Sequence, residues 1–217
     1  MLQSLDTLGA GFNEPALKTF LYDVFKRNRI KRDAMVSLGV AVVEAINPST
    51  LFKSRKSAAE VAFVRQAMEE DGAAMCRFYA WFEAAQARGE RISELTVDEK
   101  LSGERAKRAN FVGLSFPVIA GFNANGAMPH YRATQESHAV IEGDGLLLID
   151  SGGQYQDGTT DITRTVIVGE PTAEMRDRFT RVLKGHIAIA TAVFPDGTSG
   201  AQLDSFARQS LWQAGID

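Results

Sequence analysis

The chain has 217 residues, 45% of them hydrophobic and 24% charged, a make-up that suits a globular protein able to bury a sizeable core. Twenty-four Lys and Arg stand against 27 Asp and Glu, a net charge of −3, which gives no electrostatic case for nucleic acid or an anionic membrane as a partner. The single cysteine, Cys76, cannot form an internal disulfide, the opening MLQSLDTLGAGFNE has no secretory-signal pattern, and no apolar run is long enough to span a bilayer; a cytoplasmic location is expected.

In chain order, Pro15 to Phe25 places Leu17, Phe20, Leu21 and Val24 at helical spacing, and a basic cluster follows from Lys26 to Arg32. Without interleaved aromatic residues that cluster reads as a solvated face. Met35 to Ile46 reads as a strand or short helix ending at the turn signal Asn47-Pro48-Ser49. Phe52 to Arg88 is the clearest predicted helix. Ser57 and Glu60 fit a capping box at its start, and Gly89 is placed to stop it. Val61, Met68, Met75 and Phe82 recur every seven residues, joined by Val64, Phe78 and Ala85. Asp71 falls in this seam, which favours packing on a sheet over a coiled coil. Cys76 reads as a buried structural thiol.

A second capping box, Thr96 to Glu99, predicts a helix running to about Ala109. Phe111 to Phe122 is apolar and β-rich, and Asn123 to Gly126 reads as a turn. His130, after Pro129, reads on its own as a loop histidine. Glu142 to Gly145 then turns the chain into its most informative stretch, Leu146 to Val168. Leu146 to Ile149 reads as a buried strand and Ile162 to Val168 as its return, with Gly152-Gly153 and Asp157-Gly158 as turn or bulge signals. Asp150 ends one arm and Asp161 begins the other. Their odd separation of eleven permits both carboxylates on one face, although a bulge at the glycines would change that parity. Two adjacent carboxylates repel unless a cation cancels them; the rival reading is two solvated aspartates beside a loop. Beyond Thr172 a helix places Met175, Phe179, Val182, Leu183, Ala190 and Val193 on one face and stops at Pro195. A last helix turns Leu203, Phe206, Ala207 and Leu211 inward.

The run DSGGQYQDGTTDITRT resembles the metal-binding hairpin of the Xaa-Pro aminopeptidases (aminopeptidase P), pita-bread metallopeptidases akin to prolidase, creatinase and methionine aminopeptidase. LFKSRKSAAEVAFVRQA, SFPVIAGFNANGAMPHY and VLKGHIAIATAVFPDGTSGAQLDSFARQSLWQAGID extend the resemblance from about Leu51 to Asp217. It implies an α+β fold, the first half of a pita-bread domain with a curved antiparallel sheet backed by helices. Residues 1–47 would be the tail of a preceding domain or a linker, and residues 48–217 the N-terminal half of the catalytic domain.

The resemblance further implies that Asp150 and Asp161 hold two divalent metal ions, Mn²⁺ first, with Zn²⁺ or Co²⁺ as alternatives. It makes His130 a substrate-facing catalytic residue, and Phe116 part of the pocket for the substrate's first side chain. Thr163 and Arg164 would play a supporting role, steadying the aspartates and the hairpin. The implied reaction removes the N-terminal residue from peptides whose second residue is proline. The family's further ligands, a histidine in a His-Gly-x-x-His motif and two glutamates, are not found here, so this chain is expected to be inactive alone, as a fragment. Two other readings remain: a non-catalytic pita-bread module that binds peptide or protein, and a prolidase-like dipeptidase. A homodimer is one assembly compatible with any of them.

Overall fold

The structure is a computed structural model that describes Thr19–Leu21, Asp33, residues 36–39, Ala41–Val43 and residues 48–216. It divides into two compact units, Met1–Phe63 and Val64–Asp217.

In the first unit, strand β1 (Thr19–Leu21) pairs in parallel with β2 (Ala41–Val43), Thr19 opposite Ala41. The helix expected over Pro15 to Phe25 is therefore a strand at its centre. Threonine and phenylalanine suit a strand, and pairing with β2 overrides the helical spacing. The rest of that segment, the Lys26–Arg32 cluster, Met35 and Asn47 lie outside the described residues. Helix α1 (Pro48–Ser54) starts at a proline, whose fixed φ suits the first helical turn. The long helix expected from Phe52 is broken after Ser54, and α2 (Ala58–Ala87) starts afresh. Its capping box forms as read: the Glu60 N–H donates to Ser57 Oγ at 3.2 Å, and the Ser57 N–H donates to Glu60 Oε2 at 2.7 Å.

In the second unit the remainder of α2 and helix α3 (Glu94–Ala106) supply the helical side of the core. The strands are β3 (Phe111–Leu114), β4 (Ile119–Phe122), β5 (Gly145–Ser151), β6 (Gly153–Tyr155) and β7 (Ile162–Val168). They form an antiparallel sheet in the order β4-β5-β7 and a separate antiparallel pair, β3-β6. One face of the sheet, with Leu147, Ile149, Ala120, Phe122 and Ile162, packs on Phe78 and Phe82 of α2 and Val97 and Leu101 of α3. This is the burial that holds the unit together, and alternation along β5 sends Leu146, Leu148 and Asp150 to the other face.

The buried stripe of α2 runs through Ala67, Asp71, Ala74, Met75, Phe78, Phe82 and Ala85, whereas Val64 and Met68 of the predicted face are 38% and 39% exposed. Cys76 is exposed, not buried as expected, because it sits beside the stripe and not on it. Helix α3 is capped by Ser93 and Thr96, not by Thr96 and Glu99. It begins with Glu94, since Ile92 is buried and the Ile141 N–H donates to its carbonyl, which fixes the entry of the helix.

Helices α4 (Ala173–Ala190) and α5 (Gly200–Trp212) form an antiparallel pair. Gly185 lies against the backbone of Ala207, and Arg181 donates to the Ser210 carbonyl. Met175 and Phe179 border a groove with Leu146, Thr165 and Ile167 of the sheet face that carries Asp150. The predicted apolar stripe of α4 is largely uncovered, with Phe179, Val182 and Leu183 all exposed, and the helix ends at Ala190 before reaching Val193. Phe206 of α5 is exposed as well, while Leu203, Ala207 and Leu211 are half-buried.

At Gly152 the chain leaves the β5-β7 ladder, forms β6 against β3, turns between Tyr155 and Gly158, and returns through Thr160. A side chain at Gly152 would collide with the Thr160 carbonyl and Ser115 Oγ. Gly152→Ala is therefore expected to destabilise the protein by about 1–3 kcal/mol, read as a lowered thermal midpoint. An unchanged midpoint would show that the corner tolerates a Cβ.

Candidate metal centre

The register between β5 and β7 decides where the acidic pair points. Asp150 stands opposite Thr163 and Ser151 opposite Ile162, with no bulge between these pairs. Asp161 immediately precedes β7, two residues from Thr163, so it falls on the same face as Asp150. The glycines break the ladder only beyond Ser151, after the parity has been set.

The carboxyls meet there. Loss of water, then the charge of Asp150, then a hydrogen bond shared with Asp150 push the Asp161 carboxyl above its ordinary value. Such a pair destabilises the fold while both members are ionised, and its donor chemistry, hard oxygens side by side, suits a divalent cation. Thr163 donates from Oγ1 to Asp150 Oδ1 at 2.8 Å and so orients that carboxylate. Arg164 stands opposite Ile149, on the other face, and donates to the Thr163 carbonyl; it does not join the pair. Among the described residues, no group of three or more His, Cys, Asp or Glu side chains is placed to hold an ion.

His130 follows the 3-10 turn Asn123–Ala127, on an exposed loop, with a left-handed φ of 58° that a non-glycine residue adopts only when its surroundings hold it. The turn itself packs over the aspartate face. Gly126 lies so close to Gly121 and Leu148 that a Cβ there would stand 3.4 Å from Leu148 Cβ. Phe116 is half-buried in the bend between β3 and β4, and β4 brings Ile119 opposite Asp150. Asp150 and Asp161 are thus brought into contact, while His130 lies in the loop after the 3-10 turn and Phe116 in the bend between β3 and β4.

The buried networks of two carboxylates are not legible in the sequence. Glu94, fully buried, accepts from the Phe122 and Ala139 N–H groups, each at 2.7 Å, from Asn125 Nδ2, and from the Tyr131 hydroxyl at 2.7 Å. Asp71, also fully buried, accepts from Arg105 Nε at 2.6 Å and Nη2 at 3.0 Å, from the Tyr155 hydroxyl at 2.8 Å and from Thr160 Oγ1 at 2.9 Å. Burial tends to raise the Asp71 carboxyl, but Arg105, Tyr155 and Thr160 outweigh it and hold the group below its usual range. A charged residue inside an apolar helical seam was the signal available for Asp71; for Glu94, at a helix start, local sequence offered none.

An antiparallel sheet backed by helices, with an acidic pair on its open face, is the first half of the pita-bread architecture. Residues 62–217 match metallopeptidase family M24, and the chain belongs to that family. It is 44% identical over 201 residues to "Probable Xaa-Pro aminopeptidase P" of Laccaria bicolor, covering 87% of this chain and 31% of that protein. It is also 44% identical to "Aminopeptidase P2" of Arabidopsis thaliana, covering 79% of this chain and 24% of that one. Among solved structures, the X-prolyl aminopeptidase of Caenorhabditis elegans, described as a cytosolic enzyme with a di-nuclear active site, superposes with a TM-score of 0.76 at 34% identity; the match covers 81% of this chain and 29% of that one. The X-Pro aminopeptidase of Thermotoga maritima, at 23% identity and a TM-score of 0.67, shares the fold.

Proposed function

We propose that this chain supplies one half of the centre of a metal-dependent Xaa-Pro aminopeptidase, with Asp150 and Asp161 as ligands of two divalent ions. The observation that carries this reading is the contact of the two carboxylates on one sheet face, in a chain of the M24 family. Mn²⁺ is the first candidate, with Zn²⁺ or Co²⁺ as alternatives, as the family resemblance implies; the pair's hard oxygen donors are compatible with a divalent ion but do not by themselves choose among them. When bound, such ions would lower the pKa of a shared water and polarise a carbonyl.

The chain's own residues do the rest. Thr163 keeps the Asp150 carboxylate oriented. His130 donates a hydrogen bond to negative charge developing on the substrate, and Phe116 contributes to the pocket for the first side chain. Proline as the second residue suits such a specialised site, since it lacks an amide N–H and restricts the bond before it, which hinders ordinary peptidases. Residues 1–47 would belong to the end of a preceding domain, and a cytosolic setting and a homodimer complete the proposal.

The chain spans 31% and 24% of the lengths of the two relatives named above, so their whole activity is not carried over with the fold. Two carboxylates leave each ion largely to solvent. The test is release of the first residue from an Xaa-Pro-Pro tripeptide with added Mn²⁺, beside a control peptide with alanine second. We expect Mn²⁺ to bind the chain while turnover stays at the level of Asp161→Ala. Proline-dependent turnover removed by Asp161→Ala would overturn the inactivity and uphold the peptidase. No Mn²⁺ binding, with capture of the peptide unaffected by Asp150→Ala, would favour a non-catalytic binding module instead.

A further inference from the structure

His130 has an exposed side chain and a left-handed backbone, a combination that costs free energy and persists only when neighbouring structure enforces it. The residue beside it shows what enforces it. Tyr131 donates its hydroxyl to Glu94 Oε2 at 2.7 Å, and Asn125 Nδ2 reaches both Glu94 at 3.0 Å and the Tyr131 oxygen at 3.0 Å. The same carboxylate accepts the Phe122 N–H, where the segment leaves β4, and the Ala139 N–H, where it returns beside α3. One buried side chain therefore pins the start, middle and end of the segment from Phe122 to Ala139. The Glu94 N–H closes the ring by donating to the Ala139 carbonyl at 3.1 Å.

Glu94 is well suited to this. It is the first residue of α3, where the exposed N–H groups and the helix dipole favour negative charge. Its two oxygens take bonds from four groups, so its charge is fully solvated by the protein although no water reaches it. Burial, followed by the bond to Glu94 and its charge, pushes the Tyr131 phenol up to about 12, so it stays a donor throughout the working pH range.

From this arrangement we infer that Glu94 is the positioning residue for His130: it fixes the 122–139 segment so that the imidazole is presented over the aspartate face in one conformation. The inference deepens the proposed function and rests on its assignment of His130. A bond that merely stabilised the domain would have served equally well between core elements. This one ends on the residue adjoining the histidine, in a segment whose residues are mostly exposed.

The test compares wild type, Tyr131→Phe and Glu94→Gln by NMR on the full chain, with Xaa-Pro-Pro tripeptide as probe. In Glu94→Gln, amide exchange at one of Phe122 and Ala139 should speed by roughly tenfold or more, since they bond to different oxygens and the glutamine amide meets one N–H with its carbonyl and the other with a donor. In both variants the His130 Cε1–H resonance should broaden or double, while methyl resonances of Leu147 and Ile149 in the core stay in place. A structural role alone would move the core signals with it. An unchanged His130 resonance in Tyr131→Phe, together with unchanged protection at both Phe122 and Ala139 in Glu94→Gln, overturns the inference. If Glu94→Gln does not fold, Tyr131→Phe decides alone. A wild-type His130 that ignores the tripeptide sinks its assignment as a substrate-facing residue, and the exchange data still decide whether Glu94 orders the segment.

Discussion

Asp161→Ala is expected to weaken Mn²⁺ binding by at least 10–100-fold, measured by calorimetry or by the loss of the free-ion paramagnetic signal on titration. That range is what removal of a group merely supporting a ligand costs, and a direct ligand costs no less. Thr163→Val, which removes the 2.8 Å hydrogen bond to Asp150, supplies the comparison and should produce an effect of about that smaller kind. Asp161→Ala should have the opposite effect on the fold. The Asp161 carboxyl sits above its ordinary value, through loss of water and then through Asp150, so the folded protein holds that proton more tightly than the unfolded chain does. As the pH rises through the carboxylate range the pair therefore costs stability. Metal-free Asp161→Ala should melt no lower than the parent, and above it if the repulsion is the dominant effect. Unchanged Mn²⁺ affinity would remove the chemical basis of the proposed centre.

Arg105→Ala is expected to be the most damaging single change to stability, at about 3–5 kcal/mol, because it strands the Asp71 charge in the interior. Asp71 and Arg105 are both fully shielded from solvent, so neither can recover its hydration by a small shift. Joint replacement by Asp71→Leu and Arg105→Met should cost less than either half alone, since a buried pair is dearer to break than to omit. The pH dependence follows from the lowered carboxyl. Its contribution is fully present above the unfolded value of about 3.9 and is lost as the pH falls through the lower folded value. Acid titration of the parent should therefore show a loss of stability below about pH 4 that Asp71→Leu/Arg105→Met lacks. A double variant less stable than Arg105→Ala would contradict this account.

How much of this was legible in the sequence depends on the range of the interaction. The hairpin arms and the parity of Asp150 and Asp161 follow from the two-residue repeat of a strand, and the register keeps them on one face. The Ser57–Glu60 cap is equally local, and it formed as read. At α3 the pattern read locally was Thr96 with Glu99, whereas the cap that forms is Ser93 with Thr96. The choice fell to buried Ile92 and to Glu94, whose partners lie 28 to 45 residues away in sequence. No window of local sequence holds that information. Asp71 looked like a flaw in an apolar seam because its partners, Arg105, Tyr155 and Thr160, come from three later segments. The seven-residue repeat of α2 likewise ran past the sheet it packs on, so Val64 and Met68 kept the pattern without the burial. In α4 periodicity marks an apolar face from Met175 to Ala190 without naming what covers it, and Val193 falls beyond the helix end.

Thr160 is bonded to Asp71 through its side chain and adjoins Asp161 in the chain. Its hydroxyl also accepts the Gly153 N–H at 2.8 Å, which clamps both sides of the hairpin corner to the back of the sheet. Asp161 is thereby anchored like the prong of a setting: exposed at its tip and rooted in a rigid base. Any displacement of α2 would be transmitted, through one hydroxyl and one peptide unit, to the spacing of the two acidic tips.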